Sequence, residues 1–224
     1  MLNEVPKYFK RHFDFTPDSS MIRSEDPPGE WISFEVNDSA WIGKPSSAGG
    51  FDAVFLSSYW KGDFDSEPMW ETYETDGKKF WVFTTCNAWS HTRYEEQSAS
   101  KEFTRHYWLA GENPQPWYDC TEYSENSEVW ISDSVPQRFG ATTKISFKGN
   151  EVIEYSIYWN ENATVDQPGW KGKIVENTWR RKNGFWEEVK RKETENPALK
   201  KSDAMKVFRK GEMEICEWWF EGGW

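Results

Sequence analysis

The sequence predicts an all-β, mainly antiparallel chain, and three observations predict it. Segments rich in aromatic and β-branched residues recur about every 8–15 residues from position 30 onward, as strands do. No helix-length pattern separates them, so parallel βαβ units are not expected. Asp76-Gly77 and Asn183-Gly184 are dipeptides that favour two-residue type I′ hairpin turns, and each sits between two such segments.

The elements follow in chain order. Residues 1–14 place Leu2, Val5, Tyr8, Phe9, His12 and Phe13 at helical spacing. A short amphipathic helix is expected, with Pro6 in its first turn. Residues 15–29 are rich in Ser, Asp and Pro and read as loop. Strands are expected at 30–36, 53–60, 68–75, 78–85, 88–96, 101–109, 117–123, 128–132, 142–148, 151–159, 173–181, 185–192, 204–210 and 213–220. A turn at Asp76-Gly77 sets Thr75 opposite Lys78, Glu74 opposite Lys79, Tyr73 opposite Phe80 and Glu71 opposite Val82. Directly opposite residues share a face, so this register yields an ion pair and an aromatic pair. Asn183-Gly184 sets Arg180 opposite Glu187, and a turn at Gly211-Glu212 sets Arg209 opposite Glu214. Gly149-Asn150 leaves two registers open. A two-residue turn pairs Lys144 with Tyr155 and Ile145 with Glu154, whereas a three-residue loop flips one strand.

A run of locally connected hairpins makes a meander, and a twisted sheet of ten or more strands curls or splits. Closure removes the exposed edges. The leading expectation is one domain over 1–224, a single up-and-down β-barrel with a short N-terminal helix. In its strand pattern it resembles the calycins, the lipocalin-like and fatty-acid-binding-like barrels. The Gly-x-Trp signature of their first strand is missing. The alternative is a two-sheet β-sandwich or jelly roll. No apolar run approaches transmembrane length, and the first residues lack a signal-peptide pattern. Cys86, Cys120 and Cys216 are odd in number and lack metal-site or disulfide spacing, so free thiols and a cytoplasmic location are expected.

Composition narrows the function. Aromatics make up 18% of the 224 residues, including 16 Trp, which excludes a disordered chain. The formal net charge of −11 argues against a nucleic-acid or membrane-surface partner, since both require basic patches. So many indoles exceed what a small core absorbs, which suggests a Trp-lined cavity for a small apolar or aromatic molecule.

Two groups of residues could carry chemistry. If a loop at Gln97-Ser98-Ala99-Ser100 closes the 88–109 hairpin, His91 lies opposite His106, Trp89 opposite Trp108 and Arg93 opposite Thr104. Two imidazoles would then serve as acid and base, with Arg93 holding an oxyanion. The opposite face carries Tyr94, Phe103, Arg105 and Tyr107. The second group is Glu71 with Tyr73, beside Met69, Phe80 and Val82. Apolar company there would raise the carboxyl pKa, unless an unseen Arg pairs with it. Glu154 is a weaker case of the same kind. The aromatic ligand-binding set is Trp89, Trp108, Trp70, Trp81, Phe80 and Tyr94. No phosphate loop, dinucleotide fingerprint, nucleophile elbow or metal motif occurs, so no cofactor and no metal are expected. The expected activity is cofactor-free acid/base chemistry of the lyase, isomerase or cyclase type. The alternatives are a non-catalytic carrier of a hydrophobic ligand and a carbohydrate-active sandwich using Glu71 and Glu154 beside exposed Trp.

Overall fold

Eight consecutive strands, joined in strict sequence order, form the larger of two antiparallel sheets. The structure, a computed structural model, describes residues 5–13, 16, 24–25, 31–36, 39–47, 50–58, 69–93, 96–111, 114–130, 137–161 and 171–207. The smaller sheet has the order β1-β2-β3-β4, with β1 at Ser24–Glu25, β2 at Ile32–Val36, β3 at Ser39–Pro45 and β4 at Phe51–Ser58. The larger sheet begins with β5 (Met69–Thr75), β6 (Lys78–Arg93), β7 (Glu96–Leu109) and β8 (Gln115–Trp130). It continues through β9 (Gln137–Lys148), β10 (Glu151–Glu161), β11 (Lys173–Lys182) and β12 (Phe185–Glu195). Among the described residues no ladder joins β5 to β12, and none closes the small sheet. No helix among them is long and apolar enough to cross a membrane.

The N-terminal helix forms as its spacing predicts. It spans Val5–Phe13 (α1), with Pro6 in the first turn, and buries Val5 and Phe9 against Phe34, Val36 and Phe51 of the small sheet. Strand β3 was not among the expected strands, nor was β1, which falls in the expected loop at 15–29. Gly43 of β3 is there for packing: a Cβ would land 2.3 Å from the Phe51 ring. The other side of the small sheet offers Trp31 and Ile42 to Trp81, Phe83 and Trp108 of β6 and β7.

The hairpin arithmetic holds where two-residue turns set the register. Asp76 and Gly77 both have positive φ, as a type I′ turn requires, and the β5–β6 pairs fall where expected. The same is true of Asn183-Gly184 and the Arg180–Glu187 pair. At Gly149-Asn150 the two-residue alternative is realised, pairing Lys144 with Tyr155 and Ile145 with Glu154. The Gly211-Glu212 turn and the strand at 213–220 lie outside the described residues. The start of the strand expected at 204–210 is corrected: Ala204 ends a short helix, α2 (Lys201–Ala204), residues 205–207 are turn, and the rest of that strand lies outside the described residues. The helix follows a segment laid against Gly172, and with Leu199 and Ala204 it covers Ile157 and Trp159 of β10.

The expected β6–β7 register is corrected. The expected segments 78–85 and 88–96 are one strand, and β7 begins at Glu96, not Lys101. Arg93 pairs with Glu96, Trp89 with Ser100 and His91 with Ser98, while His106 pairs with Phe83 and Trp108 with Trp81. The loop-like Ser98-Ala99-Ser100 run is strand, paired with β6 on one side and β8 on the other; Ala99 and Ser100 are buried. His91 is therefore eight residues along β6 from the partner of His106, about 26 Å at a strand's rise per residue. The slide is an even number of residues, so each residue keeps its expected face although every partner changes.

The large sheet bends back on itself at β8. Two bulges interrupt its pairing with β7, each leaving one β8 residue, Trp117 and Glu122, without an opposite number. The β8–β9 ladder runs only from Tyr123–Thr142 to Glu128–Gln137. Beyond it, β9–β12 turn over so that Ile145, Phe147, Val152 and Trp179 pack on Phe80, Val82, Tyr107 and Cys120. Phe80 and Phe147 stack with ring centroids 4.9 Å apart. At one rim the β5–β6 turn meets the β9–β10 turn, where Lys78 donates to the Gly149 carbonyl and the Gly149 N–H donates to Asp76.

Trp159 lies across Gly140 on the neighbouring strand, where an added Cβ would come within 2.6 Å of the indole and 2.1 Å of the Ser124 carbonyl oxygen. Gly140→Ala is expected to cost about 1–3 kcal/mol of unfolding free energy by overpacking. The urea midpoint measures this; an unchanged midpoint would mean that Trp159 does not lie where it is described.

Candidate functional site

β7 is the strand on which the chemistry collects, because its alternation sends His106 to one face and Arg105 to the other. On the face shared with the small sheet, the His106 ring lies 5.2 Å from the Phe83 ring, and its side chain is 12% exposed. Nδ1 is 3.0 Å from Asp119 Oδ1, on the cross-strand partner in β8. A carboxylate only accepts, so Nδ1 carries a proton. Nε2 is 3.1 Å from the Thr85 hydroxyl, accepting from it when the ring is neutral and donating when it is charged. Three adjacent strands thus supply a hydroxyl–imidazole–carboxylate chain. Sequence reasoning named His106 but neither Thr85 nor Asp119: the β6 strand is displaced by eight residues from the expected pairing, and the β7–β8 pairing was not registered at all.

On the opposite face, Arg105 is almost wholly buried and binds two carboxylates. Its Nη1 is 2.8 Å from Glu71 Oε1, and its Nε is 3.4 Å from Glu122 Oε2. The Tyr107 hydroxyl donates to Glu122 Oε1 at 3.1 Å. Burial first, then the Glu122 charge, pushes the Tyr107 phenol up from its usual value. The expected desolvation of Glu71 is corrected: its side chain is 45% exposed, and Arg105 supplies the partner. Tyr73 packs on Tyr107 and Phe147 as part of the aromatic core. Glu122 was missed because its placement depends on the bulge.

Glu154 faces the same core. It accepts from the Tyr118 hydroxyl, from Trp179 Nε1 at 2.7 Å and from Asn177 Nδ2 at 3.5 Å. With Glu71 held by Arg105, both carboxylates of the carbohydrate reading are already engaged. Cys120 is a free, buried thiol among these groups, and burial pushes its pKa up, away from reactive thiolate.

The expected aromatic set is placed as follows. Trp81, Trp108 and Phe80 are fully used in packing, the first two against Trp31 and the third in the stacked core. The side chains of Trp70, Trp89, His91 and Arg93, and all of Tyr94, lie outside what the structure describes.

A pocket of about 270 Å³ opens instead at the other end of β7, lined by Ala99, Lys101, Glu125, Ser127, Arg138 and Lys201. Alternation explains the lining: Ala99 and Lys101 pair with Ser127 and Glu125, which pair in turn with Arg138 and Gly140. α2 adds Lys201 from above. Its Nζ is 2.8 Å from Glu125 Oε2 and within 6.0 Å of the Tyr123 and Trp159 ring centroids, and its backbone N–H donates to Glu161 at 3.2 Å. Tyr123 also donates to Glu125. Burial opposes ionisation of Glu125, but the hydrogen bonds from Lys201 and Tyr123 outweigh it and hold the carboxyl below its usual value. Burial draws the Lys101 ammonium down; Glu125 pulls it back up, while Lys201 and Arg138 lower it further. Sequence reasoning missed this site entirely. Its residues lie on three strands and a helix, and the segment 97–100 was read as a loop.

Removing Arg105 leaves Glu122 buried without its cation. Arg105→Met should therefore cost about 3–5 kcal/mol of stability, and Glu71→Gln, at a half-exposed partner, under about 1 kcal/mol. Equal losses in chemical denaturation would contradict the buried pairing. A carboxyl lowered on folding contributes stability that is present above its unfolded pKa, about 4.3, and is lost as pH falls through the lower folded value. The stability advantage of the native chain over Glu125→Gln should thus shrink as pH falls from 6 to 3. A difference constant over that range would show that Glu125 is not held ionised.

Comparison with protein-family models, with curated proteins and with solved structures gives no match to this chain.

Proposed function

We propose that this chain is a single-domain β protein that binds a small molecule, and that the pocket between β7, β8, β9 and α2 receives it. The observation that carries the proposal is the convergence of four charged side chains from four elements on one concavity of about 270 Å³. Like charges repel when gathered on one concavity, so such a set is seldom collected without a partner to meet. The single-domain reading is supported by the aromatic cluster shared between the two sheets. The curl of the large sheet and the contact between its turns support an incompletely closed, calycin-like wall. A carrier fits this geometry with no further assumption.

The cofactor-free acid/base activity remains a second reading, of lyase or isomerase type, and the Thr85–His106–Asp119 chain favours it. That chain positions an imidazole to move a proton. Its three members sit in paired strands, and proton transfer is the step such a chain suits. His106 and the pocket lie on opposite faces of β7, hence one small ligand does not meet both. Glu71 and Tyr73 lie with Arg105 and Tyr107 on the face opposite His106, so this reading leaves them out.

Filling the pocket tests the first reading. Ala99→Trp should remove whatever small molecule native mass spectrometry finds with the purified chain, while His106→Gln should leave it bound. Retention in Ala99→Trp would sink the pocket reading. Loss in His106→Gln would move the site to the imidazole.

A further inference from the structure

We infer that Lys101 captures a small aldehyde or ketone in this pocket, forming an imine through its Nζ; this rests on the pocket being the binding site. Two lysine side chains, Lys101 from β7 and Lys201 from α2, line one concavity of about 270 Å³ together with Glu125, Arg138 and Ser127. That volume is below the roughly 300–1,000 Å³ of sites for drug-sized ligands, so the occupant is small. The two amines differ in setting. Lys201 Nζ is 2.8 Å from Glu125 Oε2 and its backbone N–H donates to Glu161, so it is fixed as half of an ion pair. Lys101 is half-buried on the pocket wall, directly across the ladder from Glu125, and its β6 partner is Ala88. Lys101 also has an interaction of its own, which the amine exchanges for the carbonyl.

An amine attacks carbon only in its unprotonated form, so a nucleophilic lysine needs an ammonium that gives up its proton readily. Burial draws the Lys101 ammonium below the usual lysine value; Glu125 opposes this, while Lys201 and Arg138 add to it. Lysine responds to such surroundings, whereas an arginine in the same place stays charged. The step balances without a further reactant. The Nζ lone pair forms the N–C bond while the carbonyl π pair moves to oxygen. The carbinolamine then loses that oxygen as the C=N bond forms, and the two protons of the amine leave with it as water. Nothing is oxidised or reduced: amine and carbonyl give imine and water. Lys201 and Ser127 carry hydrogen-bond donors on the same walls for the oxygen in transit. Water reverses the bond, so capture alone serves a carrier.

Reductive trapping of the full chain tests the inference. The chain is treated at pH 7 with limiting propionaldehyde or pyruvate and sodium cyanoborohydride, and its peptides are mapped by mass spectrometry. One reduced adduct is expected, on Lys101, formed about tenfold faster than at the exposed Lys192 and Lys206. The two probes show whether the pocket prefers an aldehyde or a keto acid. Lys101→Arg, which keeps the charge, is expected to abolish that adduct with the thermal midpoint little changed. Even labelling across surface lysines overturns the inference. So does an adduct that maps to Lys201 or survives Lys101→Arg. Ala99→Trp and, at a half-buried wall position, Ser127→Trp fill the pocket and are expected to slow capture about tenfold. If Lys101 is not preferred but the filled variants lose a co-purifying molecule, capture fails while the pocket remains the binding site. If the filled variants lose nothing and Lys101 reacts as fast in them, both fail.

Discussion

An eight-stranded meander has a long apolar face, and among the described residues little besides the sheet itself covers it. That constraint organises the rest of the structure. The sheet meets it by bending at β8, where the bulges at Trp117 and Glu122 break the ladder and let β9–β12 swing over β5–β8. Each bulge residue then takes a role that regular pairing would deny it. Trp117 offers its carbonyl to Trp186 at 2.7 Å and its ring to Arg181 and Lys78. Glu122 turns inward to meet Arg105 and Tyr107. The opposite face of β6 and β7 is left for the small sheet, which is braced in turn by α1.

What the sequence revealed follows from how locally each feature is specified. The Asp76-Gly77 and Asn183-Gly184 hairpins were legible because both turn residues adopt positive φ, which few other dipeptides tolerate. The β6–β7 hairpin was not. Arg93 pairs with Glu96, yet Tyr94-Glu95 between them is no such dipeptide, while Gln97-Ser98-Ala99-Ser100 looks like a loop and is strand, paired on both sides. The error was even in register, so Arg105, Phe103 and Tyr107 were correctly grouped on one face while the pairing of His91 with His106 was lost. α2 was hidden for a related reason: its apolar residues are few and serve one short turn over Trp159.

The same reasoning explains the uneven legibility of the sites. Glu71 was found from one hairpin, but its partner Arg105 lies two strands away, where only a correct β6–β7 register could place it. The pocket needed three strands and a short helix that no sequence pattern announced. The tryptophan excess, which suggested an indole-lined lumen, is largely spent on structure where it is described. Trp31, Trp81 and Trp108 join the two sheets, Trp159 supports α2, and Trp117, Trp179 and Trp186 pin the folded-back strands. The polar side chains left between these aromatic contacts are the ones that converge.

The hold on α2 also bears on how fast anything enters or leaves the pocket. Its walls are three strands of a continuous sheet, and they open only if much of the molecule unfolds. Its roof is a single helical turn, fastened by Leu199 and Ala204 beneath it and by Lys201, whose backbone and side chain are tied to Glu161 and Glu125. Such a roof belongs to the least stable end of the structure and opens by local unfolding far more often than the sheet beneath it. Exchange with solvent is therefore governed by the lifetime of one turn. Because Lys201 is both a fastening of that turn and a charge in the pocket, an occupant that engages Lys201 slows its own escape.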